Sequence, residues 1–409
     1  MPWLAIKDQH IREKIIRIAP EVLFEGRDPS VLPKEVRTEI IQQTFARINA
    51  GGEFDPWFDT SRIRGFVLTD IEDVIIKLFK QYRNNRELLT LLLRFVWHAK
   101  LTSCNDLVYN VVFDPHLDNY GRKCALQALE QVGTEEQIKS TVNFILKEDK
   151  PFDQRSLATL INCFSPEYLD IETVLTLLDE PLDSSNSSHF VLEYALSELV
   201  IRLQSDQLIK FLNGLKQLLE KPQSIVHAEM TISATHTWLL KYAAKICERL
   251  ILLKNPFVLH QDCLTILAFL SQAERWGEIN LRELKLEELI PKWPELNRAL
   301  FWSIVSDVRQ KEYSDEGKRL TDWWYVSIWQ QFWSFSNTDF DYLLAQINMQ
   351  EEQDNKLVAL SLAYQIYREN NRPRQWYNQL KRSVAGNDEL VKTLNNSFHP
   401  DVPPLIGPV

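Results

Sequence analysis

Glycine is scarce in this chain, with only 11 among 409 residues, against a usual share of about 7%. Folds rich in tight turns need more of it, and so do loops that cradle phosphate. Cysteine is sparse too and odd in number. Cys104, Cys124, Cys163, Cys247 and Cys263 are widely spaced and form no C-x-x-C. A disulfide framework is therefore not expected, and reduced thiols in helices fit a cytoplasmic protein. No apolar run reaches the ~18 residues of a membrane-spanning helix. The most apolar stretch, 88–97, is interrupted by Arg94. Met1-Pro2-Trp3-Leu4 carries no basic segment followed by an apolar one, so no secretory leader is expected. The chain also lacks G-x-x-x-x-G-K-[S/T], G-x-S-x-G and H-E-x-x-H. With these missing, no nucleotide loop, hydrolase elbow, metal or other cofactor is expected.

Basic residues number 46 and acidic ones 56, a net charge of −10. An acidic chain repels phosphate backbones, which disfavours nucleic acid as a partner. Hydrophobic residues make up 45% and charged residues 25%, as in soluble globular proteins.

What the chain does have is helical periodicity. Leu117, Tyr120, Cys124, Ala125, Ala128, Leu129 and Val132 share one helix face. Gly133 follows as an expected C′ residue. Thr134 and Gln137 predict a capping box for a second helix carrying Ile138, Val142, Ile145 and Leu146. Two helices on a very short turn make a hairpin. The unit recurs: helices are expected at 152–163 and 171–179, then a stripe from Leu192 to Leu203 and another from Leu208 to Leu219. Leading helices are expected near 85, 117, 152 and 188, a period that suits stacked helical hairpins. Elsewhere, helices are expected at 34–49, 63–81, 227–253, 260–271, 295–309, 317–332, 339–347, 354–368 and 374–383.

After residue 272 the character changes. Trp293, Trp302, Trp323, Trp324, Trp329 and Trp333 crowd together and account for half of the 12 tryptophans. Such rings fill cores or anchor partners. Because Trp323 and Trp324 are adjacent, both cannot sit at the centre of one helix face. A second cluster holds Arg368, Arg372, Arg374, Lys381 and Arg382 with Tyr367, Trp376 and Tyr377 interleaved. Charge with aromatics could clamp single-stranded nucleic acid, but a solvated helix pair gives the same pattern. His260-x-x-Cys263, with His227, His236 or Cys247, lacks the spacing of a zinc site. The adjacent pairs Glu135/Glu136 and Glu351/Glu352 cannot face each other on a helix.

Residues 1 to about 205 also resemble one family. The match runs through Trp3-Leu4-Ala5, Ala19-Pro20-Glu21-Val22-Leu23, Leu32-Pro33, Arg37, Phe113-Asp114-Pro115, Gly121 to Leu129, Val132-Gly133 and Ser165 to Leu169. Phe164-Ser165 departs from the Trp-Pro of family members. This segment is similar to the HEAT-like region following the NTPase domain in large bacterial NACHT-type (STAND) NTPases, many linked to antiphage defence. The resemblance implies a sensor or docking arm that binds a partner and relays the event to an NTPase. The implied partner is a protein, either an NTPase domain or a phage protein.

The expected fold is thus an all-α α-solenoid of HEAT-like hairpins over 1–272. An aromatic-rich helical subdomain is expected over 273–409, with its boundary near 273–292 and a proline-rich tail at 397–409. The expected function is non-catalytic binding of a protein partner by a sensor or scaffold module, with no catalytic residues. Trp323, Trp324, Trp329, Trp333, Arg372, Arg374 and Trp376 are the candidate partner-binding residues. The alternative is a nucleic-acid-binding array whose basic groove includes Arg372, Arg374, Lys381 and Arg382.

Overall fold

Apolar residues at helical spacing become helices over most of the described residues. The structure, a computed structural model, describes residues 2–25, 29–52, 68–147, 153–180, 189–221, 224–227, 230–233, 235–275, 277, 279–313, 318–327 and 332–398. The fold is all-α apart from one two-stranded hairpin among the described residues. Two compact units divide the chain, Met1–Leu203 and Gln204–Val409. The 273–292 region, where the sequence changes character, falls inside the second unit.

The first unit contains α1 (Pro2–Lys7), α2 (Gln9–Ile18), α3 (Lys34–Asn49), α4 (Glu72–Tyr82) and α5 (Arg86–Ala99). It continues with α6 (Asn105–Val112), α7 (Asn119–Val132), α8 (Glu135–Ile145), α9 (Gln154–Phe164), α10 (Ile171–Asp179) and α11 (His189–Arg202). Side chains that accept from free backbone N–H groups set many of the starts. Asn85 caps α5, Asp118 caps α7, Asp153 caps α9 and Asp170 caps α10. The Thr134/Gln137 capping box opens α8, with both reciprocal bonds formed at 3.0 and 3.3 Å.

The leading helices pack in chain order: α5 on α7, α7 on α9, and α9 on α11. Their buried residues include Leu92, Phe95, Leu129, Ile161 and Leu196. Following helices also meet one step apart. Tyr109 of α6 donates to Ser140 of α8 at 3.1 Å, and Gln137 of α8 donates to Asp106 of α6 at 2.9 Å. Phe113 and Phe144 meet edge to face at 4.8 Å. Arg202 donates to the last carbonyls of α9, those of Ile161 and Asn162, where the helix dipole favours a cation.

Glycine scarcity leaves a mark on the helix ends. Lys100, after α5, adopts the left-handed region at φ 53°, a conformation that costs a residue with a Cβ about 1 kcal/mol. Gly133 shows the opposite. It is not the left-handed C′ residue expected from the sequence, for its φ is −69°. Glycine is needed here for space: a Cβ would sit 2.7 Å from the Leu129 carbonyl oxygen and 2.8 Å from a Leu129 methyl. Gly133→Ala is therefore expected to destabilise the first unit by about 1–3 kcal/mol, read as a lower thermal midpoint.

The second unit holds α12 (Ser205–Leu219), β1 (Ser224–His227), β2 (Met230–Ser233), α13 (Leu240–Leu252), α14 (Gln261–Arg275), α15 (Leu286–Leu289) and α16 (Pro294–Glu312). Then come α17 (Trp323–Ser327), α18 (Phe340–Met349), α19 (Gln353–Glu369), α20 (Arg374–Ser383) and α21 (Asp388–Phe398). Here too α12 packs on α13, α13 on α14, α14 on α16, and α18 on α19.

Two helix expectations are corrected. The stretch 227–253 is not one helix: residues 230–233 pair antiparallel with 224–227, in register Ser224↔Ser233 to His227↔Met230, before α13 begins. The β-branched pairs Ile225-Val226 and Thr231-Ile232 favour the pleated strand over the helix. Of 317–332, only Trp323–Ser327 is helical among the described residues. Asp322 accepts from the Trp324 N–H at 3.0 Å and starts the helix there. The proline-rich tail expected at 397–409 lies outside the described residues from 399 onward.

Candidate protein-docking surface

The tryptophan-rich region is built around Phe301 of α16, which is fully buried. Its ring meets Trp302 at 5.1 Å, Trp333 at 4.9 Å and Phe335 at 5.0 Å, each edge to face. Trp302 donates its indole N–H to the Tyr342 hydroxyl at 2.8 Å. Arg298, one turn earlier on α16, lies 4.2 Å over the Tyr342 ring and bonds Asp339. Burial raises the Tyr342 pKa, against the pull of the Trp302 bond and the Arg298 charge.

Trp323 and Trp324 part company, as their adjacency requires. Trp323 is half-buried, 6.4 Å from Trp333, and its backbone N–H is held by the Ser361 hydroxyl at 3.0 Å. Trp324 points outward with 55% of its surface exposed, and Tyr325 beside it is 42% exposed. The two rings meet at 5.5 Å, and Tyr313 stands 6.4 Å from Tyr325. This ledge is an aromatic patch whose back rests on a packed cluster. Trp333 is half-buried within that cluster, and its indole N–H makes no hydrogen bond. Trp329 lies outside the described residues.

The basic corner is arranged differently. Arg372 and Arg374 are exposed on either side of Pro373, at the start of α20. Trp376 turns inward and stacks on Phe340 at 4.3 Å. Its ring serves the packing of α20 on α18.

Sequence reasoning missed Tyr325, which is exposed on the short α17, the half-buried Tyr313 near it, and a second apolar face on α11. There Phe190, Tyr194 and Ile201 are 78, 57 and 62% exposed. Their offsets of 4 and 11 place them on one side of the helix.

The sites weighed for chemistry are separated by burial. His260 is exposed and stacks on Phe257 at 5.3 Å, whereas Cys263 is fully buried beside Cys247. A side-chain bond from Cys263 together with burial raises the Cys247 thiol well above its usual range. Burial likewise lifts Cys104 to about 12 and Cys124 to about 11, so these thiols are poor nucleophiles. Ser233 and His236 form a buried hydroxyl–imidazole pair at 2.9 Å. Of two small hollows, the first is mainly polar and the second mainly apolar. The first, of about 180 Å³, lies between α14 and α16, lined by Gln261, Thr265 and Ser303 among others. The second, of about 270 Å³, lies beside Arg86, Arg94 and Tyr120. Among the described residues, no three His, Cys, Asp or Glu side chains gather closely enough to hold a metal ion. No described helix is long and apolar enough to cross a membrane.

No family model, curated protein or solved structure matches this chain.

Proposed function

We propose that the chain is a non-catalytic helical-repeat sensor or scaffold module, which binds a protein partner through exposed side chains on a solenoid of helical hairpins. Trp324 carries the reading: a tryptophan more than half exposed, backed by Trp323 and the Phe301 cluster, has the form of an interface anchor. The serial packing of α5, α7, α9 and α11 supports the array, because stacked hairpins offer extended surfaces. The similarity of residues 1 to about 205 to the region after the NTPase domain in NACHT-type NTPases extends the proposal. In that form the chain works in the cytoplasm of a bacterium, as the sensor part of a STAND NTPase defence system.

The test uses the full chain as bait in extract from its source cells, beside a Trp324→Ala/Tyr325→Ala variant. Both exposed rings can be removed at little cost to folding, within about 1 kcal/mol. The expected result is an unchanged thermal midpoint and about a tenfold or greater loss of specifically retained protein. Equal retention by the two baits would refute the reading.

A further inference from the structure

The segment 365–387 carries five basic residues and one acidic residue in a chain whose net charge is −10. Arg368, Arg372, Arg374, Lys381 and Arg382 are all exposed. None is ion-paired to a carboxylate among the described residues. Several cations elsewhere are matched, such as Arg37 with Asp70, Arg47 with Glu21, Lys216 with Asp262, Arg298 with Asp339, Arg309 with Glu352, and Arg319 with both Asp354 and Glu389. Other exposed cations stand alone, but segment 365–387 gathers five within 15 residues.

On α20, Arg374, Lys381 and Arg382 fall on the outward side, opposite the buried Leu380 and the inward Trp376. The helix contains no acidic residue, even in its first turn. Arg372 and Arg374 therefore stand at the positive end of its dipole, an arrangement that costs stability. Local rules broken without compensation inside the fold mark functional positions.

The geometry points to this corner as the docking site for an acidic protein segment, a deepening that rests on the scaffold reading. Arginine forks match carboxylates two bonds at a time. The ten-residue helix is about 15 Å long, which spans about five residues of extended peptide. Nucleic acid fits less well because single strands are held by free aromatic faces. The rings here are already engaged: Trp376 lies on Phe340, Lys381 lies 4.6 Å over the Tyr377 ring, and Tyr367 is buried.

The test is fluorescence anisotropy of the full chain with three labelled probes. These are a twelve-residue Glu-Ser repeat peptide, the matching Gln-Ser peptide, and a twelve-nucleotide single-stranded thymidine oligomer. The Glu-Ser peptide is expected to bind most tightly and to weaken as salt rises. Arg372→Gln/Arg374→Gln/Lys381→Gln/Arg382→Gln is expected to lower its affinity roughly tenfold or more, with the circular dichroism spectrum unchanged and the thermal midpoint no lower than the parent's. Equal affinity for the two peptides overturns the proposal, and so does a quadruple variant that binds as well as the parent. Tighter binding of the oligomer at the same salt also overturns it, in favour of a phosphate-reading surface. If the acidic peptide fails while Trp324→Ala/Tyr325→Ala still loses its retained proteins, this proposal falls and the scaffold reading stands.

Discussion

Phe301→Ala is expected to destabilise the second unit by about 4 kcal/mol. The ring is fully buried and makes three edge-to-face contacts at about 5 Å. Removing it deletes the transfer energy of a large apolar side chain, leaves a cavity among stiff rings and breaks the aromatic geometry. The readout is denaturant unfolding followed by near-ultraviolet circular dichroism, since these tryptophans lose their fixed surroundings as the unit unfolds. A loss below about 1.5 kcal/mol would mean that the neighbouring rings collapse into the gap, and the cluster would not be the rigid backing that Trp324 requires. Two aromatics from the same region should separate, one by stability and the other by binding.

Asp339→Ala is the second large effect, at about 3 kcal/mol. One carboxylate oxygen receives Arg298 through Nε at 3.1 Å and Nη2 at 2.9 Å, while the other receives the Ser336 backbone N–H at 3.2 Å. Asp339 is buried. Its loss leaves the Arg298 guanidinium over the Tyr342 ring without a carboxylate and frees the turn that leads into α18. Asp339→Asn should cost less, because the amide oxygen still accepts the Ser336 bond. The double variant Arg298→Met/Asp339→Ala should recover much of the loss, since the cost lies chiefly in the stranded charge. A double variant no more stable than the single one would place the energy in the capping turn.

Much of the helical pattern was legible because it rested on local rules. The Thr134/Gln137 box, the helix at 171–179 and the helices at 34–49 and 374–383 follow from caps and apolar spacing within a few residues. The leading helices begin at 86, 119, 154 and 189, close to the positions read from their stripes. The strand pair 224–227 and 230–233 was hidden because pairing depends on which segments meet, and its apolar residues sit beside a real helix. α21 was also missed, though Asn387 accepting from the Leu390 N–H, with Leu390 and Leu394 buried, was the available signal. Gly133 was placed correctly for the wrong reason, since the pressure on it comes from the Leu129 carbonyl. At the candidate surface, adjacency showed that Trp323 and Trp324 must diverge but not which one faces water. That choice is made by the Ser361 bond, 38 residues away. Trp376 read as a surface aromatic because its partner Phe340 belongs to a helix two elements earlier.

The order in which α5, α7, α9 and α11 touch has an evolutionary corollary. α7 and α9 are each bound to the leading helix one step before and one step after, with about 35 residues between starts. A duplication or deletion of one such step in the gene would add or remove a slab without redesigning a shared centre. The number of steps in the first unit can therefore be selected separately from its stability, by counting slabs instead of repacking them.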